Sequence, residues 1–282
     1  MDTIKDFAIK QRKYMPVFPK ATGKLTVYIE GYPCEDDEPM AETDFHADQI
    51  FTLSDQLKRY FAVNELVHIA VDSFVYYSEG DITKCVAPDI YIVFGVDKYP
   101  LRRSFYTWAE GAAPVAVFEF LSDSTAHQDR HEKVALYLND IGVQEYFIHQ
   151  PELKKPAEFR GWQRSPSGNI IEMVPDAEDG LFSEALNLWF RWVDNHTTHV
   201  RLLRPYLPDG TPITTSMEEE HLRLQEKHLR EEAEAMAAEE AERRQKAEAM
   251  VAEEAERRRE LETELERLRT QLANQQNETP SD

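Results

Sequence analysis

A glutamate inside an unbroken apolar run is the feature that most constrains this chain. The segment Val115 to Leu121 reads VAVFEFL, with Glu119 held between two phenylalanines. A run of this length and composition predicts a strand buried on both faces. A carboxylate there is costly unless it is paired or holds a cation. A second strand-like run, Ile90 to Phe94, is opened by Asp89, and the polar turn after Leu121 leads into a helix that carries Lys133. Two carboxylates on strand-like runs, followed by a lysine, suggest a divalent-metal site with an ammonium beside it. Each of these residues also has a plainer reading. Asp89 follows Pro88, where an aspartate closes a turn, and a lone helical lysine is commonly a solvent group. Glu119 is the acidic residue that fits a plain surface role least.

The flanking pattern supplies the frame. In AETDFHADQIFTLSDQLKRYFAVN, residues Phe45, Ile50, Leu53, Leu57 and Phe61 recur at helical spacing, with Thr43 or Asp44 as the N-cap. Glu42 lies at that end, where the helix dipole favours a carboxylate whatever its role, and His46 reads as a partly buried packing residue. Leu25 to Ile29 and Leu66 to Tyr77 read as strands, the latter as one or two. DKYPLRRSFYTWAEGAAP is a connecting segment; its cluster Lys98, Arg102 and Arg103 is either a solvated loop or a phosphate contact. Asp129 to Asn139 predicts a helix with Lys133 and Tyr137 on one face, ended by Gly142, and Val143 to His149 is another strand. Phe159 to Arg164 and Ile170 to Val174 predict a hairpin, and His199 to Pro205 a last strand. Trp162, Trp189 and Trp192 read as core residues. No element is predicted before residue 24. The middle is therefore β–connection–β–α–β, an α/β or mixed-sheet core.

Charge narrows the function classes. The 282 residues carry a formal net charge of −21, which argues against broad attraction to nucleic acid, although a local basic cleft remains compatible. Cys34 and Cys85 form no spacing motif, and a reducing cytoplasm fits them. No run approaches the roughly 20 apolar residues that span a bilayer, and the N-terminus has no signal-peptide core; no membrane partner is expected.

Composition changes near Met217, which divides the chain into 1–216 and 217–282. The second part holds 11 of the 32 basic and 20 of the 53 acidic residues and has no proline before Pro280. AEAMAAEEAERRQK at Ala233 is nearly repeated as AEAMVAEEAERRRE at Ala247, an offset of two heptads. Glu239–Arg243, Glu240–Arg244, Glu253–Arg257 and Glu254–Arg258 are pairs in the favourable order, each worth a few tenths of a kcal/mol. Leu261, Leu265, Leu268 and Leu272 form a leucine seam. A long helix is expected, either solvated and salt-bridged or paired as a coiled coil.

Taken in order, PDIYIV, EGAAPVAVFEFLSDST, DRHEKVALY and GVQEYFI resemble the Uma-type restriction endonuclease family of the PD-(D/E)xK nuclease superfamily. EPMAETDFH is similar to that family's entry to its first helix, and GLFSEALNLWF and VRLLRPYLPDGTPITT to its closing segments. The resemblance spans roughly residues 30–216. It implies a restriction-endonuclease-like α/β fold, with a mixed β-sheet core flanked by helices, and a Mg2+- or Mn2+-dependent endonuclease acting on DNA. It further implies Asp89, Glu119 and Glu42 as metal ligands. The lysine of the strand motif would fall at Leu121, so the resemblance implies that Lys133, on the next helix, supplies the ammonium and completes the catalytic set Asp89, Glu119, Lys133 and Glu42. Ser122, Asp129 and Tyr137 match flanking positions without an assigned role. Homodimerisation through the C-terminal helix or the nuclease domain is expected. The alternative is a catalytically weak or inactive nuclease-fold protein that binds nucleic acid or protein, with the helical tail as its working part.

Overall fold

The computed structural model describes residues 4–35, 43–165 and 167–277. In chain order its elements begin with α1 (Ile4–Tyr14), α2 (Asp44–Tyr60), β1 (Val67–Val71), β2 (Val75–Tyr76), β3 (Cys85–Val86) and β4 (Ile90–Phe94). β5 (Phe105–Tyr106), α3 (Thr107–Glu110) and β6 (Ala116–Phe120) follow, then α4 (Ala126–Arg130), α5 (Glu132–Ala135) and a π-helical turn, Leu136–Ile141. The remainder is β7 (Glu145–His149), β8 (Phe159–Arg164), β9 (Ile170–Glu172), β10 (Leu181–Ser183), β11 (Leu188–Asn195), β12 (Val200–Tyr206) and α6 (Ser216–Asn277).

Six strands form one mixed sheet in the order β1-β4-β6-β7-β8-β9, parallel between β6 and β7 and antiparallel elsewhere. All five residues of β6 and of β7 are buried, as a continuous apolar run requires of a strand covered on both faces. On one face Ile90, Ile92, Phe118 and Phe147 pack with Ile50, Leu53 and Leu57 of α2 and with Phe190 of the sheet β10-β11-β12. On the other, Tyr91, Val93, Val117 and Tyr146 pack with Tyr137, Leu138 and Ile141. α2 is capped as expected: Thr43 is extended, and its hydroxyl accepts from the His46 N–H at 3.4 Å. The expected α/β core of a mixed sheet with flanking helices, together with a long C-terminal helix, is what the chain forms.

Three local expectations fail. α1 lies where none was predicted, because only part of it contacts the core: Phe7 and Tyr14 pack there, while Ile9 is exposed. Residues 25–29 form no strand; their polar groups meet loop partners instead, with Arg103 N–H donating to the Val27 carbonyl and Ile29 N–H to the Tyr106 hydroxyl. The helix expected over 129–139 is broken at His131 (φ −130°, ψ −69°) and passes into the π-helical turn before Gly142 ends it at φ +86°. Trp162 is buried, whereas Trp189 and Trp192 are half-buried, packed against Phe182 and Phe159.

The chain divides into two compact units, Met1–Glu218 and Glu219–Asp282. α6 is one continuous helix, started by a reciprocal cap: Thr215 N–H donates to Glu218 at 2.8 Å, and Glu218 N–H donates to the Thr215 hydroxyl at 3.1 Å. Among the described residues no helix is long and apolar enough to cross a membrane.

Candidate active site

The sheet register places two carboxylates side by side. β4 and β6 last pair at Ile90–Phe118, so Asp89 continues in line with Glu119. Strand alternation turns both toward the face of Tyr91 and Val117, the face covered by the helical connection between β6 and β7. Beyond the last ladder pair the Asp89 side chain takes over as acceptor: its Oδ2 receives the Phe120 N–H at 2.6 Å. Its Oδ1 lies 3.1 Å from His46 Nε2, brought in by the first turn of α2.

The helical connection answers Glu119, which is 4% exposed. Lys133 Nζ donates to its Oε1 at 2.9 Å, and the Tyr137 hydroxyl donates to the same oxygen at 2.6 Å. Among the described residues, both donors to Glu119 meet Oε1 and none meets Oε2. Lys133 is shared, since its Nζ is also 2.7 Å from Asp129 Oδ1. The spacing Asp129, Lys133, Tyr137 lines these groups up despite the break at His131, and the π-helical turn that holds Tyr137 is a distortion common at functional sites.

Burial pushes the Glu119 carboxyl up to about 7; the Lys133 ammonium opposes the rise, and the negative charges of Asp89 and Asp129 add to it. Burial works against the Lys133 ammonium, but Glu119 and Asp129 outweigh it and hold the lysine charged, its pKa raised. Burial also raises the Tyr137 hydroxyl well above its ordinary range, with Glu119 adding to the shift, so this hydroxyl remains a donor. The cluster thus combines three carboxylates with one firmly protonated ammonium.

The structure brings Asp89, Glu119 and Lys133 together; Glu42 lies outside the described residues. Leu121, where the strand-motif lysine would stand, is 1% exposed and packed in the core behind β6, away from any polar role. Arg102 is neither solvated nor free to meet a phosphate. It is sealed in an ion pair with Glu110, both side chains 1% exposed, and also donates to the Asp97 carbonyl at 2.8 Å. Lys98 pairs with Glu65 at 2.9 Å, and Arg103 lies over the Tyr28 ring. Ser122 caps the turn after β6 by accepting the Thr125 N–H at 3.2 Å. One participant escaped the sequence reading, His46, taken for a packing residue; Asp129 and Tyr137 appear there only as flanking positions without a role, and the structure sets both beside the Lys133–Glu119 pair.

The donor chemistry suits a hard cation. Asp89 and Glu119 offer carboxylate oxygens, and magnesium keeps several waters and needs few protein ligands. Among the described residues no group of three or more His, Cys, Asp or Glu side chains is arranged to hold a metal ion. A cavity of about 760 Å3 lined by Val17, Phe18, Phe94 and Asn187 includes none of the cluster residues, so it is a separate feature.

No family model matches the chain, and no curated protein matches it. One solved structure to which it is similar is described as a "putative nuclease belonging to DUF820" from Anabaena variabilis, with a TM-score of 0.36 and 17% identity, covering 53% of this chain and 77% of that one.

Proposed function

We propose that this chain is a metal-dependent endonuclease of the Uma type that hydrolyses phosphodiester bonds in DNA. One observation carries the reading. The Lys133 ammonium and the Tyr137 hydroxyl converge on one oxygen of a buried Glu119, leaving the other without a donor among the described residues, on the face that the register shares with Asp89. Asp89 and Glu119 would hold Mg2+ or Mn2+, and Glu42 joins them on the resemblance alone. A divalent cation, when bound, supplies positive charge at the phosphate and eases deprotonation of water. The protein's own groups do the rest. Tyr137 fixes the Glu119 carboxylate, and the Phe120 N–H and His46 fix Asp89. Lys133 stands ready to orient the attacking water and to offset charge that gathers on the phosphate oxygens. Without that ammonium the carboxylates would repel the substrate.

The test is cleavage of supercoiled, linear duplex and single-stranded DNA with Mg2+ or Mn2+, run beside Glu119→Ala. Cleavage by the unmodified protein and none by the variant is the expected result. Absence of cleavage with every substrate and both metals would reject the endonuclease reading. It would favour a nuclease-fold protein that binds nucleic acid or protein, a reading consistent with an ammonium already seated on Glu119 Oε1. We place the chain in a reducing, cytoplasmic setting, with which Cys34 and Cys85 outside any disulfide accord.

The partner proposed for α6 is a second copy of the chain. Leu261, Leu265 and Leu268 are 61%, 52% and 50% exposed at four-then-three spacing, a stripe that a paired helix would cover. Replacing these three leucines with serine should lower the sedimenting mass from dimer to monomer. An unchanged mass would leave dimerisation to the nuclease domain or exclude it.

A further inference from the structure

Asp129 is a buried carboxylate with an incomplete set of partners. It is 1% exposed; its Oδ1 forms an ion pair with Lys133 Nζ at 2.7 Å, and its Oδ2 has no hydrogen-bond partner. Its backbone, by contrast, is held from both sides: its N–H donates to the Thr125 carbonyl at 3.0 Å, and its own carbonyl accepts the Tyr146 hydroxyl at 3.0 Å. The next residue, Arg130, grips Glu158 through Nε and Nη2 at 3.0 and 2.7 Å. A costly buried charge is thus mounted on a fixed support and aimed at one ammonium.

We propose that Asp129 is a positioning residue, the second anchor of Lys133, onto which the ammonium settles when Glu119 turns to a cation. The inference rests on the cation site proposed above, but the anchor itself is testable without metal. Lys133 now divides its charge between a hydrogen bond to Glu119 and an ion pair with Asp129. With Glu119 alone, an ammonium released by cation binding would drift toward solvent, since 21% of its side chain is already exposed. Asp129 keeps it beside the same carboxylate, charged and in reach of the water and phosphate.

The experiment measures acylation of Lys133 by an amine-reactive ester in the metal-free full-length protein, read by peptide mass spectrometry. Lys155 serves as the internal control, and thermal melts verify folding. Glu119→Gln imitates withdrawal of the Glu119 charge. Lys133 in Glu119→Gln should react within about threefold of the unmodified rate, because Asp129 still holds it. Adding Asp129→Asn should accelerate the reaction at least about tenfold, well within the scale of losing the counter-charge of a buried ion pair. Asp129→Asn alone should be slow, because Glu119 remains, so a general structural defect, which would speed the single variant and Lys155 as well, is told apart. Equal rates in Glu119→Gln and the double variant would overturn the anchor, as would fast labelling in Asp129→Asn alone. A separate Mn2+ titration of the unmodified protein judges the cation site: no binding there removes that reading while the labelling result stands.

Discussion

The chain sets a cation one helical turn from a carboxylate in two contrasting places. Asp129 and Lys133 lie 2.7 Å apart with side chains 1% and 21% exposed; Glu239 and Arg243 of α6 lie 2.6 Å apart with side chains 64% and 77% exposed. The sequence spacing is the same, yet the physics differs. In α6 water and salt screen the pair, and it adds a small increment to a helix that has many such pairs. In the domain, low polarity magnifies every charge, so the pairing shifts which groups hold protons. Proximity of opposite charges stabilises a helix in one region and tunes a site in the other.

The widest separation between the regions should appear in catalysis. Glu119→Ala or Asp89→Asn should reduce DNA cleavage by about a thousandfold or more, the scale expected when a catalytic cation is lost. Arg243→Ala should leave it unchanged in the same assay. Residual activity in Glu119→Ala near the unmodified rate would move the site away from β6.

Metal affinity should follow pH in the domain alone. Because the Glu119 carboxyl is pushed up to about 7, a cation must displace its proton below that pH. Mn2+ binding measured by calorimetry should weaken about tenfold per unit as pH falls below about 7 and level off above it. Affinity independent of pH between 5.5 and 8 would exclude Glu119 as a ligand.

Stability should separate the regions next. Lys133→Ala leaves Glu119 and Asp129 buried without their counter-charge and should cost about 3 kcal/mol at pH 8. The sign follows from protonation. The folded-state pKa of Glu119 is raised from 4.5 to about 7, so its proton favours the fold below the unfolded value, and that contribution is lost as pH rises through 7. Glu145, pushed by burial to about 7 despite the Ser183 hydroxyl, follows the same rule. The cost of Lys133→Ala should therefore shrink at pH 5, where Glu119 is neutral, as denaturant titrations at the two pH values would reveal.

The smallest effect belongs to the tail. Removing one exposed pair with Arg243→Ala should change helix stability by only a few tenths of a kcal/mol, and adding salt should shrink even that. A loss comparable to that of Lys133→Ala would mean that Arg243 meets a partner beyond its own helix.

Much of this arrangement is legible in the chain. The two-face-buried run around Glu119, the apolar positions of α2, the hairpin β8–β9 and the unbroken α6 follow from periodicity, because local repetition dictates which side chains can be covered together. So does the leucine stripe at Leu261, Leu265 and Leu268. The destinations of polar side chains are another matter. Nothing near Arg102 in sequence distinguishes a phosphate ligand from the buried partner of Glu110, and nothing near His46 indicates that it meets Asp89. α1 stayed hidden because its described apolar side chains split, Phe7 and Tyr14 meeting the core and Ile9 facing solvent, and the break at His131 because no glycine or proline announces it.

By itself, then, the sequence determined that Glu119 had to be buried and compensated, and that a long stretch from about residue 218 to 273 had to be helical. Only the tertiary structure decided which groups compensate it. Lys133 and Tyr137 reach Glu119 because the connection between two parallel strands folds back over the sheet, and Asp89 joins them because β4 pairs with β6 in one register. Burial is a property of a residue and its near neighbours, which a linear pattern can record. The partner of a buried charge is chosen by packing among segments distant in the chain, where the cost of leaving it alone is felt only once the fold has closed around it.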